Sequence, residues 1–278
     1  MKTVSAARDR TRGRRRCLLV TICLLSGLVG VFPATSAPDA RPAPEERPNI
    51  VVIMADDMRV DDLRFMPRTR KLLVRNGIEF KNSFSPNPIC CPARASFLTG
   101  RYSHNHKVFS HQEPWGFGSF DDRYTMPTAL NASGYHTALI GKYLNGYGTQ
   151  RSAVTGEPSP RYVPNGYTDW YAALDTRPGS PLGSTYNYRH VTYNHNGKID
   201  ASHRGEYSTE GIGRISRRLI MKYSRGDAPF FVYTSFVPPH FGGSSRPRRA
   251  PSGSAACSTA SFIGLLEFLV AAVPLSRT

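Results

Sequence analysis

Two adjacent acids, Asp56 and Asp57, follow closely on an apolar, β-branched run, residues 48–54 (PNIVVIM). Paired carboxylates supply hard oxygen donors that suit Ca²⁺ or Mg²⁺. Standing alone, such a pair serves equally as a solvated turn or a helix cap. Further along comes Cys90-Cys91-Pro92-Ala93-Arg94. Proline favours the first turn of a helix, so Cys90 falls at a helix N-terminus. Free N–H groups and the positive end of the dipole there lower a thiol pKa and hold anions. Arg94 lies one helical turn beyond Cys90 and can fold back on such an anion. Lys142, in Gly141-Lys142-Tyr143, adds a second cation. Spacing alone describes an anion site with a divalent metal beside it. His104, His106 and His111 also have the look of a metal-ligand cluster.

These groups need a scaffold that delivers them to one place. The run 48–54 is apolar on both faces, which suits a buried parallel strand. Acids just past a strand's C-terminal end lie where open α/β sheets put their sites. The patterning predicts helices over 66–76, 91–100, 126–133 and 207–223, the last with Ile212, Ile215, Leu219 and Ile220 on a helical period. It predicts further strands over 78–84, 135–140 and 229–237. This alternation argues for an α/β fold with a largely parallel sheet.

Composition bounds the rest. The chain has 278 residues, 40% hydrophobic and 20% charged, which suits a folded globular protein and excludes a disordered or collagen-like one. A net charge of +16 at first suggests nucleic acid, but seven basic residues and one acid within 1–37 carry +6 of it. What remains is a moderately basic body, and no nucleic-acid partner is expected. Arg8–Arg16, the apolar Cys17–Phe32 and Pro33-Ala34-Thr35-Ser36-Ala37 read as a signal peptide cleaved after Ala37, with Ala40 as second choice. Export runs by the Sec route or, given Arg14-Arg15-Arg16, by the twin-arginine route. The rival is an uncleaved membrane anchor. Residues 38–47 form a Pro-rich linker. No uninterrupted apolar run reaches about 18 residues, so a multi-span membrane protein is excluded and no stable membrane insertion is expected. Cys17 and Cys23 leave with the signal and Cys257 lies near the C-terminus. Cys90 and Cys91, about 3.8 Å apart at Cα, are too close for an ordinary disulfide. The expected location is secreted or cell-envelope.

Residues 90–101 (CCPARASFLTGR) match the sulfatase signature C-x-P-x-R…L-T-G-R. PNIVVIMADDMR resembles the family's first strand with its metal-binding acids, and GKYLNGYG at 141–148 resembles its lysine motif in the form used by N-acetylglucosamine-6-sulfatases. RYSHNHKV at 101–108 points the same way, and APFFVYTSFVPPH at 228–240 resembles the later strand ending in a sulfate-contacting histidine. The resemblance implies an alkaline-phosphatase-like, three-layer αβα fold and a formylglycine-dependent sulfatase. Cys90 matches the cysteine that a formylglycine-generating enzyme oxidises before or during export, with Pro92 and Arg94 as recognition elements. Ala93 stands where serine is commoner. In the implied mechanism one hydroxyl of the hydrated aldehyde attacks sulfur and displaces the alcohol. The other then expels sulfate, which splits one hard step into two. Asp56 and Asp57, with residue 90, match ligands of Ca²⁺, with Mg²⁺ as the alternative. Arg94 would steady the formylglycine, Lys142 would bind a sulfate oxygen, and His240 would contact sulfate or the leaving oxygen. Cys91 is read as packing, and His104, His106 and His111 as surface or substrate-side groups. Arg68, Arg70, Lys71 and Arg75 are read as a solvated helix face. The implied substrate is a sulfated carbohydrate of the N-acetylglucosamine-6-sulfate type. The rivals are a non-catalytic remnant that binds anionic glycans and a phosphoester or phosphonate hydrolase of the same superfamily.

The resemblance also implies a later Asp-Asn pair, in an Asp-Asn-Gly turn, and a downstream lysine. Tyr193-Asn194-His195-Asn196-Gly197 lacks the acid and precedes the last predicted strand. From Phe241 the chain turns to GGSSRPRRAPSGSAACSTAS and then FIGLLEFLVAAVPL, which contains Glu267. The expected organisation is therefore the N-terminal part of a sulfatase domain at 48–240, incomplete at its C-terminus. Residues 241–278 then form a low-complexity, frameshifted tail; the alternative is a flexible tail with a short amphipathic helix. A half-built parallel sheet would expose an apolar edge and leave low activity.

Overall fold

A computed structural model describes residues 47–80 and 82–242 and the strand Phe268–Val273. The signal-peptide segment 1–37 and most of the linker and tail lie outside the described residues. In chain order the elements are β1 (Asn49–Asp56), α1 (Pro67–Leu72), α2 (Cys90–Thr99), α3 (Ser103–His106), α4 (Met126–Ala132), β2 (His136–Lys142), β3 (Asp169–Ala173), β4 (Tyr193–His195), β5 (Lys198–Asp200), α5 (Ser208–Tyr223), β6 (Phe230–Pro239) and β7 (Phe268–Val273).

The strands form one sheet in the order β5-β4-β3-β2-β6-β1-β7. Its centre is parallel: β1 on β6 (Val52 opposite Tyr233), β2 on β6 (Gly141 opposite Ser235) and β2 on β3. The flanks, β3–β4–β5 and β1–β7, are antiparallel. Alternate side chains serve opposite faces, as the pleat requires. Val52, Met54, Leu139, Trp170, Phe231 and Tyr233 join one core, with Cys91, Ala95 and Leu98 of α2. Ala138, Ile140, Tyr171, Phe230 and Val232 join the other, with Ile212, Ile215, Leu219 and Tyr223 of α5. Helices on both faces of a mostly parallel sheet give the three-layer αβα fold expected from the sequence.

Several expectations need correction. The helix over 66–76 is broken into α1 and a 3₁₀ turn at Val74–Asn76, and α1 buries none of its residues. Arg68, Arg70, Lys71 and Arg75 are indeed exposed. The strand over 78–84 does not form among its described residues. Its β-branched and aromatic residues find no neighbouring strand, and β-propensity reflects packing on a sheet surface more than any intrinsic preference. Within the run read as a tail with a short amphipathic helix, Phe268–Val273 is instead a strand, β7, that pairs the outer edge of β1, with Val52 opposite Val270. Asn196-Gly197 forms the β4–β5 hairpin turn, both residues at positive φ (48° and 84°). No helix among the described residues is long and apolar enough to cross a bilayer.

Candidate active site

β1, β2 and β6 run parallel, so their C-terminal ends share one rim of the sheet. Asp56 closes β1, Lys142 closes β2, Ser235 lies midway along β6 and His240 directly follows that strand. Strand crowding at this rim is tight. Gly141, at φ +102°, sits where a Cβ would lie 2.0 Å from the Ser235 carbonyl oxygen. The helix α2 begins at Cys90, with Pro92 third, inside the first turn where a missing N–H costs nothing. It stops at Gly100, whose left-handed φ of 66° turns the chain away.

Asp56, Arg94 and Lys142 are 3%, 1% and 1% exposed. Arg94 Nη2 donates to Asp56 Oδ1 at 3.1 Å, and Lys142 Nζ donates to Asp56 Oδ2. The other arm of Arg94, Nη1, donates to Ser235 Oγ at 2.5 Å, the Lys142 carbonyl at 3.1 Å and the Tyr233 hydroxyl at 3.3 Å. One guanidinium thus ties β1, β2 and β6 together, and only its Nε is left without a partner. Burial pushes the Asp56 carboxyl up, but Lys142, Arg94 and His240 outweigh it and hold it below its usual value. Burial works against the charge on Lys142, but Asp56 and then Cys90 overcome it and raise its pKa.

Cys90 is half-buried, and its Sγ donates to Asn145 Oδ1 at 3.1 Å. Burial pushes this thiol up, against the pull of Lys142. That runs against the expectation of a thiol acidified by the helix N-terminus: burial, with the charges of Asp56 and Asp57, outweighs the pull of Lys142 and Arg94. Cys91 is fully buried in the core, as packing requires. Asp57, at φ +55°, turns outward and meets His240 Nε2 at 3.4 Å. The His240 ring also lies 4.6 Å from that of Tyr186. The structure therefore gathers Asp56, Arg94 and Lys142 directly, Cys90 through the field of Lys142, and Asp57 and His240 as a second pair at the rim. The sequence alone does not single out Asn145, Tyr186, Tyr233 or Ser235. Asn145 lies within the lysine motif, and Tyr233 and Ser235 within the stretch 228–240, without a role of their own there; Tyr186 lies outside every motif.

His104 and His111 are exposed, as a surface reading expects, but His106 departs from that reading. His106 is buried, with Nε2 3.0 Å from Ser96 Oγ and Nδ1 accepting the Val108 N–H, and burial lowers its pKa. It ties α3 to α2.

Calcium takes six to eight oxygen ligands. Both Asp56 oxygens already accept from cations, and Asp57 pairs with His240. Among the described residues no three His, Cys, Asp or Glu side chains are grouped to hold a metal ion. The donor set present does not fit a calcium ion by itself. Position 90, by contrast, fits a hydrated side chain, being half-buried, faced by Lys142 and met by a hydrogen-bond acceptor.

A family model described as Sulfatase matches residues 48–261. The N-acetylglucosamine-6-sulfatase of Capra hircus is 31% identical over 205 residues, 70% of this chain and 34% of that protein. The extracellular sulfatase SULF-1 homolog of Drosophila melanogaster is 40% identical over 138 residues, 48% of this chain and 11% of that protein. The chain thus spans about a third or less of the length of these curated relatives. Among solved structures, BT4656 in complex with its substrate D-glucosamine-2-N,6-O-disulfate superposes with a TM-score of 0.52 at 23% identity, over 70% of this chain and 35% of that one. That likeness agrees with the alkaline-phosphatase-like layering of sheet and helices. On the family match over most of its length, the chain belongs to the sulfatase family.

Proposed function

We propose that residues 48–240 carry the nucleophile-bearing part of a sulfuric ester hydrolase that removes sulfate from a carbohydrate of the N-acetylglucosamine-6-sulfate type. The observation that carries this reading is the meeting of Lys142, Arg94 and Asp56 where three parallel strands come together, with Cys90 close enough to feel their charges and His240 at the rim. The name of the goat relative and the glucosamine disulfate bound by BT4656 support the substrate class. Formylglycine, made from Cys90 by a formylglycine-generating enzyme, supplies the oxygen nucleophile that takes sulfate from the ester. Lys142, buried and charged, attracts a sulfate oxygen. His240 contacts sulfate or the leaving oxygen from the rim. Arg94 holds Asp56 and the three strands in register. Calcium, or magnesium, belongs to this reading only with oxygen ligands beyond Asp56 and Asp57. The extracellular relative supports export by way of the signal peptide at 1–37.

The test is co-expression with a formylglycine-generating enzyme. The Cys90 peptide is then examined for an aldehyde by hydrazide capture and mass spectrometry, and sulfate release from N-acetylglucosamine-6-sulfate is measured beside the 6-phosphate. Aldehyde at Cys90 with release of sulfate in preference to phosphate is expected. Faster phosphate release would point to the phosphoester rival. One observation favours a non-catalytic, anion-binding chain: Asp56 has no carboxylate oxygen free of a cation. Glycan binding that persists with no aldehyde and no calcium uptake would select that alternative.

A further inference from the structure

Cys90 and the loop after β2 share a residue to which the roles above give no part. Asn145 is gripped at two points. Its carbonyl accepts the Phe117 N–H at 2.8 Å, and its Nδ2 donates to the Tyr186 phenolic oxygen at 2.6 Å. Oδ1 then faces Cys90, whose Sγ donates to it. Nδ2 faces the Tyr186 oxygen and Oδ1 faces Cys90, so this orientation of the amide presents an acceptor to position 90. Tyr186 is itself held in the site: Lys142 Nζ lies 4.8 Å from its ring centroid, and the His240 ring packs at 4.6 Å. The next residue, Gly146, donates its N–H to Asp175 Oδ2 at 2.7 Å, so the loop is anchored on both sides of the amide.

We propose that Asn145 is a positioning residue that fixes the orientation of the side chain at position 90, with Tyr186 as the lock on its amide. The inference rests on the sulfatase reading for its consequence in turnover, and on geometry alone for the bond. A side chain at the first residue of a helix has several staggered rotamers. One acceptor selects among them, and any hydrogen-bearing atom in place of Sγ meets the same Oδ1. Orientation of this kind acts on the rate of the chemical step more than on binding.

The S–H stretching band of Cys90 in the unconverted chain tests the bond without turnover. It is isolated as the difference from a Cys90→Ala variant. A thiol that donates to an amide oxygen absorbs at lower frequency than a free one. Asn145→Ala is expected to move the band up to the free-thiol position. Tyr186→Phe, which keeps the ring and removes only the oxygen, is expected to broaden it or move it part of the way. An unchanged band in either variant overturns the proposal, and Tyr186→Phe decides it should Asn145→Ala not fold. In preparations that release sulfate, both variants are expected to lower kcat about 10- to 100-fold with KM within about twofold. An undiminished kcat overturns the proposal. A wild-type chain that releases no sulfate sinks the sulfatase reading instead, and the band still decides whether the Asn145 bond exists.

Discussion

Lys142 shows how a lone sequence residue misleads. Taken singly, a lysine in Gly-Lys-Tyr is an ordinary surface cation, yet here it is buried against Asp56. Lys142→Met keeps the bulk and leaves Asp56 with Arg94 alone. Removing one partner of a buried pair costs about 3–5 kcal/mol, so the urea midpoint should fall sharply; a change within error would show that the pair adds nothing. Asp122 is the opposite case. Its Oδ1 accepts from Tyr162 at 2.8 Å, its Oδ2 has no partner, and burial pushes the carboxyl up to about 6 from 3.8. A carboxyl with a raised folded pKa binds its proton more tightly in the native state, so stability falls as pH rises from 3.8 to about 6 and stays low above that. Asp122→Asn keeps an oxygen for Tyr162 and removes the buried charge. It should stabilise the protein by up to about 3 kcal/mol near pH 7.5 and by almost nothing near pH 3.5. Equal gains at both pH values would refute the burial argument.

Elements are legible in the sequence where burial is two-sided or periodic. The run 48–54 becomes β1, and the spacing of Ile212, Ile215 and Leu219 becomes the inner face of α5. Leu219→Ala should cost about 2–5 kcal/mol by the cavity it leaves, whereas Met221→Ala, on the exposed side, should stay within about 0.5 kcal/mol; thermal melts of the two separate them. Ile78, Phe80 and Phe84 alternate like a strand but remain exposed, because alternation says nothing about whether a partner strand is present. β3 is hard to read because Asp169–Ala173 is short and mixes an acid with aromatics. Asn196-Gly197 is a hairpin signal that its likeness to an Asp-Asn-Gly metal turn masks. Of the site, the six residues of the motifs can be read, since their types repeat a known pattern. Asn145, Tyr186 and Ser235 cannot, since their roles exist only once β2, β6 and the 186 loop meet. Gly141→Ala tests that meeting. A Cβ at a left-handed φ, 2.0 Å from a backbone oxygen, cannot be relieved by a side-chain rotation. A loss of more than about 3 kcal/mol is expected, and a stable variant would show that β2 and β6 can part.

At the scale of the molecule, three parallel strands present their C-terminal ends together, the usual place for a site in an open α/β sheet. β7 then pairs the far side of β1. Strand amides alternate between neighbours, so a chain ending at Gly242 should show about tenfold or faster hydrogen exchange at every second amide of β1 and little change at the others. Uniform acceleration would mean that the strand's loss loosens the whole sheet. The guanidinium of Arg94 has a last consequence for anyone who wants a silent version of this protein for ligand capture. A single bolt holds three strands, so removing it dismantles the receptacle along with the charge. Inert baits should instead be made at Cys90 or His240, whose side chains stand at the mouth and hold no strand in place.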